Sequence, residues 1–152
     1  MASSCRAGEG ATNKPQVLAA CPPFAFPTLE RVLGPYLDLV FVNTLLLAQE
    51  ALKNNPRLEL IICGVHFDES RMYELLDHAR REHPRVQFVC VRVLDHESSR
   101  LSRESIRIAL ESLGARLIDY ATEARERGAD LADDRLRAAV LGRLQPPQAR
   151  GM

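Results

Sequence analysis

Short apolar runs alternate with apolar residues at helical spacing along most of this chain. Gln16 to Cys21 is a short apolar run stopped by Pro22-Pro23, the pattern of a buried strand. Leu29, Val32 and Leu33 then recur at helical intervals ahead of Gly34-Pro35, which predicts a first helix over Thr28–Leu33. Leu37–Val42 reads as a second strand. Leu45–Asn54 is built of strong helix formers, follows a capping Thr44 and precedes Asn55-Pro56, so it reads as a second helix. Leu58–Cys63 is interrupted by polarity only at Glu59. A strand of that kind is buried on both faces and belongs at the centre of a sheet.

The second half repeats the alternation. Met72, Leu75, Leu76 and Ala79 fall at i, i+3, i+4 and i+7, which predicts an amphipathic third helix. Val86–Val93 is a fourth strand. A fourth helix opens at Ser102, turns Ile106, Ala109, Leu110 and Leu113 inward, and closes at Gly114. Ala115–Tyr120 supplies a fifth strand. A polar stretch, Ala121–Ala132, precedes a last helix over Asp133–Leu144, with Leu136, Ala139 and Val140 on its inner face.

Five strands separated by helices favour an α/β domain with a parallel sheet, because each right-handed crossover returns the chain in the same direction. Helices then cover both faces. Such folds place their sites at the carboxyl ends of the strands, here Cys21-Pro22, Cys63-Gly64 and Val91 to Asp95.

Composition narrows this picture modestly. The 152 residues suit one domain, expected over 15–144 between tails at 1–14 and 145–152. Lys plus Arg (20) balances Asp plus Glu (20), so no net field draws the chain to nucleic acid or to an anionic membrane. No apolar run approaches the roughly 20 residues that span a bilayer, and the first residues lack an apolar signal core. A cytoplasmic location is expected, with neither nucleic acid nor membrane as partner. Among Cys5, Cys21, Cys63 and Cys90 there is no CxxC pair, and the last three lie in apolar runs, which argues against a disulfide scaffold.

The five units span Lys14 to Leu144. Glu50-Ala51-Leu52 lies late in the second helix, Glu74-Leu75-Leu76 in the third, and Leu113-Gly114-Ala115 at the entry to the fifth strand. In this order and spacing the chain resembles the response-regulator receiver domain of two-component signalling. The resemblance implies a doubly wound, flavodoxin-like sheet of strand order 2-1-3-4-5. It also implies a site: an acidic pair after the first strand for Mg²⁺, a phosphoryl-accepting Asp ending the third, a hydroxyl after the fourth and a Lys after the fifth. Hard cations take carboxylate oxygens, and the aspartyl carboxylate is the nucleophile.

Against that pattern this chain offers Ala20-Cys21-Pro22, then Cys63-Gly64, then Val91-Arg92, and a position near Ala121 for the Lys. The expectation is an atypical, phosphorylation-independent receiver with no catalytic residue, metal or cofactor, acting through a protein partner or a second copy of itself. Asp68 and Glu69 follow the third strand but read as caps of the third helix. The family's usual contact face, formed by the fourth helix, fifth strand and last helix, implies a partner surface that includes Arg103, Ile106, Arg107, Leu110, Leu136 and Val140.

A second reading stays beside the first. Cys21 and Cys63 end neighbouring strands with His66 nearby, so the three could form a zinc-binding or thiol-sensing site in the crevice with Gly64 and Asp68. Three ligands fall short of the four that a structural zinc site takes, and buried strand cysteines are ordinary packing residues. Arg92, inside Val-Cys-Val-Arg-Val, could hold an anion or pair with an acid such as Asp95. The clusters around His78–His83 and Arg100–Arg107 mix signs and read as solvated helix surfaces. No GxGxxG, Walker, HExxH or GxSxG pattern is present.

Overall fold

The structure is a computed structural model that describes residues 14–94 and 100–144, without the side chains of residues 100–102. The expected tails, Cys5 and Asp95 lie outside the described residues, apart from Lys14. Five parallel strands form one sheet: β1 (Gln16–Ala20), β2 (Asp38–Val42), β3 (Leu60–Gly64), β4 (Gln87–Val91) and β5 (Arg116–Ile118). Their order is β2-β1-β3-β4-β5, as the resemblance to receiver domains implies. Around the sheet run α1 (Phe26–Leu33), entered through a short 3₁₀ turn at Pro23–Ala25, α2 (Leu45–Asn54), α3 (Met72–Glu82), α4 (Arg100–Ser112), α5 (Tyr120–Arg127) and α6 (Ala129–Arg143).

Alternate residues of each central strand enter opposite layers, as the period of two requires. Val17, Ala19, Leu60, Ile62, Val89 and Val91 pack with Leu29, Val32 and Leu33 of α1 and Leu136 and Val140 of α6. Leu18, Ala20, Ile61, Cys63 and Cys90 face the other way, against Leu52 of α2, Leu75 and Leu76 of α3 and Leu110 of α4. All five residues of β3 are buried, which is why its sequence lacks alternation. Leu18, Leu60, Ile61 and Ile62 are wholly inaccessible, and removing each from water contributes about 1.5–3 kcal/mol.

Two expectations need correction. The last helix does not start at Asp133 after a polar stretch: most of Ala121–Ala132 is itself helical, in α5 and the start of α6. The Asp119 carboxylate accepts the Thr122 N–H at 3.2 Å to start α5, and Gly128 at φ 98° breaks the helix before α6 begins. Its polarity reflects shallow burial, with Tyr120 and Ala121 the buried positions of α5. Leu113 is 45% exposed and does not join the inner stripe of α4, because the helix ends at Ser112 and Gly114 (φ 77°) turns the chain away.

Candidate functional site

The carboxyl ends of β1, β3 and β4 meet in a shallow apolar cleft. Pro22, Phe24, Gly64, His66, Val93 and Leu94 are among the residues that line it, and Phe24 and Leu94 are partly exposed at its rim. Gly64 is set by close approach. A β-carbon placed there would sit 3.1 Å from the Cys21 Cβ and 3.2 Å from the Pro22 Cδ, so the first and third strand ends pack at a distance that leaves little room for a larger side chain.

The cysteines do not gather in this cleft. Cys21 belongs to the layer of α1 and α6, and Cys63 to the layer of α2, α3 and α4. Cys63 has Cys90 as its direct neighbour across the β3–β4 ladder. Each thiol makes a weak contact with a nearby carbonyl, Cys21 with Ala19 at 4.0 Å and Cys63 with Gly64 at 3.6 Å. Burial pushes the Cys21 and Cys90 thiols up to about 12 and raises Cys63 as well. All three are neutral thiols at physiological pH, which makes them poor nucleophiles and poor metal ligands. The alternative Cys21–Cys63–His66 trio is therefore not assembled, and the cysteines pack in the core as the other reading has it. Among the described residues, no group of three His, Cys, Asp or Glu side chains is placed to hold a metal ion.

Asp68 also departs from expectation. Its Oδ2 accepts the Leu45 N–H at 2.7 Å, so it caps α2 rather than α3. There it joins Thr44, whose hydroxyl accepts the Leu47 N–H at 3.1 Å. The reason is local backbone shape. Asp68, Glu69 and Ser70 all adopt positive φ, at 45°, 56° and 72°, a left-handed turn that carries the carboxylate to the adjacent crossover. Three successive non-glycine residues in this region store strain, and the charge-assisted cap offsets part of it.

Arg92, immediately after β4, is the buried charge of the site. Its side chain is 2% exposed. The Nε donates to Asp119 Oδ1 at 3.0 Å, one terminal nitrogen to Thr122 Oγ1 at 2.7 Å and the other to the Leu94 carbonyl at 3.4 Å. Thr122 Oγ1 in turn donates to Asp119 Oδ2 at 2.9 Å. The backbone repeats the link, with Arg92 N–H bound to the Ile118 carbonyl and Ala121 N–H to the Arg92 carbonyl, both at 2.9 Å. The guanidinium thus fastens the end of β4 to the end of β5 and the start of α5, which is the ion-pairing alternative of the sequence reading, with Asp119 as the acid. Asp119 was not among the sequence candidates. An Asp directly before a helix-forming segment is an N-cap signal, and starting the last helix only at Asp133 hides it.

A second network, also not anticipated, joins α1 to α6. Arg31 donates to Asp133 Oδ2 at 2.7 Å and Oδ1 at 3.3 Å, and to the Tyr120 hydroxyl at 3.1 Å. Tyr120 donates to Asp133 Oδ1 at 2.7 Å. The Arg31 hydrogen bond, opposed by burial and assisted by Tyr120, holds the Asp133 carboxyl below the usual range.

The expected partner surface is only partly a surface. Leu110, Leu136 and Val140 are fully buried and leave it, since their helices turn these positions onto the sheet. Ile106 is half-buried against the core. Arg103 and Arg107 remain accessible, and Arg107 is bound to Glu104 and Glu111 along α4. Ile108, 55% exposed, is the apolar residue on that outer face.

Comparison with solved structures agrees with this topology. The signal receiver domain of an HD domain-containing protein from Pseudomonas fluorescens Pf-5 superposes with a TM-score of 0.52 at 16% identity, over 70% of this chain and 82% of that one. The signal receiver domain of the Luxo repressor protein from Vibrio parahaemolyticus gives a TM-score of 0.56 at 15% identity, over 84% of this chain and 96% of that one. The fold is that of a signal receiver domain. No protein-family model and no curated protein matches the sequence. In this receiver fold β3 ends in Cys63-Gly64, the end of β1 carries no acid, and the ends of β4 and β5 carry Arg92 and Asp119 bound to each other. None of the described helices is long and apolar enough to cross a membrane.

Proposed function

We propose that this chain is a receiver-like regulatory module that works without phosphorylation and without catalysis, by recognising a protein partner. The single observation that carries the reading is the end of β3, where Gly64 sits 3.1 Å, through its hypothetical Cβ, from the first strand end. An aspartyl phosphate needs a carboxylate nucleophile with room for a phosphoryl group and a cation beside it. This position supplies no carboxylate and little room. The tie between Arg92 and Asp119 supports the same reading, because it gives the ends of β4 and β5 a fixed arrangement in place of a hydroxyl and an amine that would answer a new charge.

The outer face of α4 is the proposed contact surface. Glu104, Arg107, Ile108 and Glu111 lie within one stripe of the helix, combining an exposed apolar residue with an alternating charge pattern that suits a specific, mostly polar interface.

Incubation with acetyl phosphate and Mg²⁺, followed by intact-mass analysis, should leave the mass unchanged. A phosphoryl adduct lost on mild base treatment would refute phosphorylation independence. Capture from host extract should recover a protein partner that Ile108→Asp and Arg107→Glu release. Retention of all partners by both variants, with folding intact, would move the contact surface elsewhere.

A further inference from the structure

At the opposite end of the sheet, where β4 begins, a groove of about 360 Å³ has a different character from the strand-end cleft. Ala79, Val86 and Phe88 contribute apolar lining, and Arg80, Arg85 and Arg143 also line it. These arginines come from three places: the last turn of α3, the turn between α3 and β4, and the last turn of α6. The Gln87 side chain donates to the Arg143 carbonyl at 2.6 Å, which ties the end of α6 to the first residue of β4. Gly114 leaves open the space beside Arg80, since a Cβ there would come within 3.4 Å of its guanidinium.

Several arginines elsewhere are paired with carboxylates, among them Arg31 with Asp133, Arg81 with Asp77, Arg135 with Glu123 and Arg137 with Asp134; what sets Arg80, Arg85 and Arg143 apart is that three of them share one groove. Among the described residues, no carboxylate stands within ion-pairing distance of Arg80, Arg85 or Arg143. Arg80 and Arg143 can complement the negative ends of their own helices. Arg85 lies in no helix, so the dipole does not account for it. Three guanidiniums around one groove repel each other until an anion enters.

We propose that this groove binds a small organic phosphate, with its phosphoryl oxygens on the three arginines and its carbon skeleton on Ala79, Val86 and Phe88. Guanidinium groups present paired donors that match phosphoryl oxygens, and a dianion suits three of them better than a single carboxylate. The volume lies within the range of small-molecule sites, about 300–1,000 Å³. The site is at the far end of the strands from the receiver-like crevice and does not depend on the reading of that crevice.

Phenyl phosphate is a probe with both features. Titrated into the full chain and followed by nuclear magnetic resonance at constant ionic strength, it should saturate and shift the amides of Val86, Phe88 and Gly114. Arg85→Gln, in the turn, and Arg143→Gln should each weaken it by about tenfold or more, the loss of one charge-assisted pair of bonds, with the circular dichroism spectrum unchanged. Inorganic phosphate should bind more weakly at the same residues. Absence of saturation, or binding that both variants leave intact, would overturn the site. Equal affinity for inorganic phosphate would overturn the assignment of an organic ligand.

Discussion

Replacing Asp119 by alanine removes the carboxylate that faces a guanidinium with almost no access to water. The Arg92 side chain is 2% exposed and that of Asp119 is 31% exposed, so the two halves of the pair are not equivalent. With Asp119 gone, Arg92 keeps Thr122 and the Leu94 carbonyl but loses the Asp119 carboxylate, and the first turn of α5 loses its cap. Breaking a buried pair from one side costs about 3–5 kcal/mol. The partial exposure of Asp119 moves the value toward the lower end, and the cap adds about 1 kcal/mol, giving roughly 3–4 kcal/mol for Asp119→Ala. Arg92→Met retains the aliphatic bulk and leaves Asp119 able to reach water while still bonded to Thr122. Its cost should be smaller, about 1–2 kcal/mol for the lost hydrogen bonds.

The chain has no tryptophan, so urea unfolding is best followed by far-ultraviolet circular dichroism. At a urea slope of about 1–3 kcal/mol per molar, Asp119→Ala should lower the midpoint by roughly 1–4 M, clearly more than Arg92→Met. The double variant should be less destabilised than the sum of the singles, because no isolated charge is left behind. An Asp119→Ala protein within about 0.5 kcal/mol of the original, or an inverted order of the two singles, would refute the argument from unequal burial.

Gly64→Ala should destabilise by about 1–3 kcal/mol through overpacking against Cys21 and Pro22, read in the same urea titration; an unchanged midpoint would mean that the strand ends separate freely. In a Cys5→Ser background, the thiols of Cys21, Cys63 and Cys90 should stay unreactive toward a chromogenic disulfide until denaturant is added, since burial raises all three. One fast thiol would revive the redox reading of the crevice. The depressed Asp133 carboxyl gives stability that is complete above the unfolded carboxylate range, near pH 4, and is lost as pH falls through the lower folded value. Arg31 is more than half exposed, so the contribution is screened to about 1 kcal/mol; Asp133→Asn should flatten the acid limb of the stability curve, and an identical limb would disprove the assignment. Asp68→Ala should cost about 1 kcal/mol through the lost cap of α2, whereas the same loss in Thr44→Ala alone, with Asp68→Ala neutral, would assign the cap to Thr44.

Local pattern determined the secondary structure and, through the alternation of strand and helix, the parallel doubly wound sheet. Each β3 residue is apolar or small because both faces of that strand meet helices, and an unbroken apolar run records this directly. Thr44 and Asn55 mark the ends of α2 by chemistry that acts within a few residues. The residue types that end the strands, Cys63-Gly64 after β3 among them, were legible too, since the strand runs themselves mark those ends.

Tertiary structure alone decided what those residues face. Cys21 and Cys63 look like neighbours in the chain order of strand ends, yet opposite parity along their paired strands sends them into different layers. Leu110, Leu136 and Val140 carry no mark that distinguishes a core position from an apolar contact surface; only packing on the sheet does. Arg92 meets Asp119 across 27 residues, Arg31 meets Asp133 across 102, and the three arginines of the basal groove converge from separate elements. Helical and strand periods are set within a few residues, and so can be read along a sequence. Ion pairs and grooves join residues through the closed chain in space, and no local pattern encodes which distant partner the fold will bring within reach.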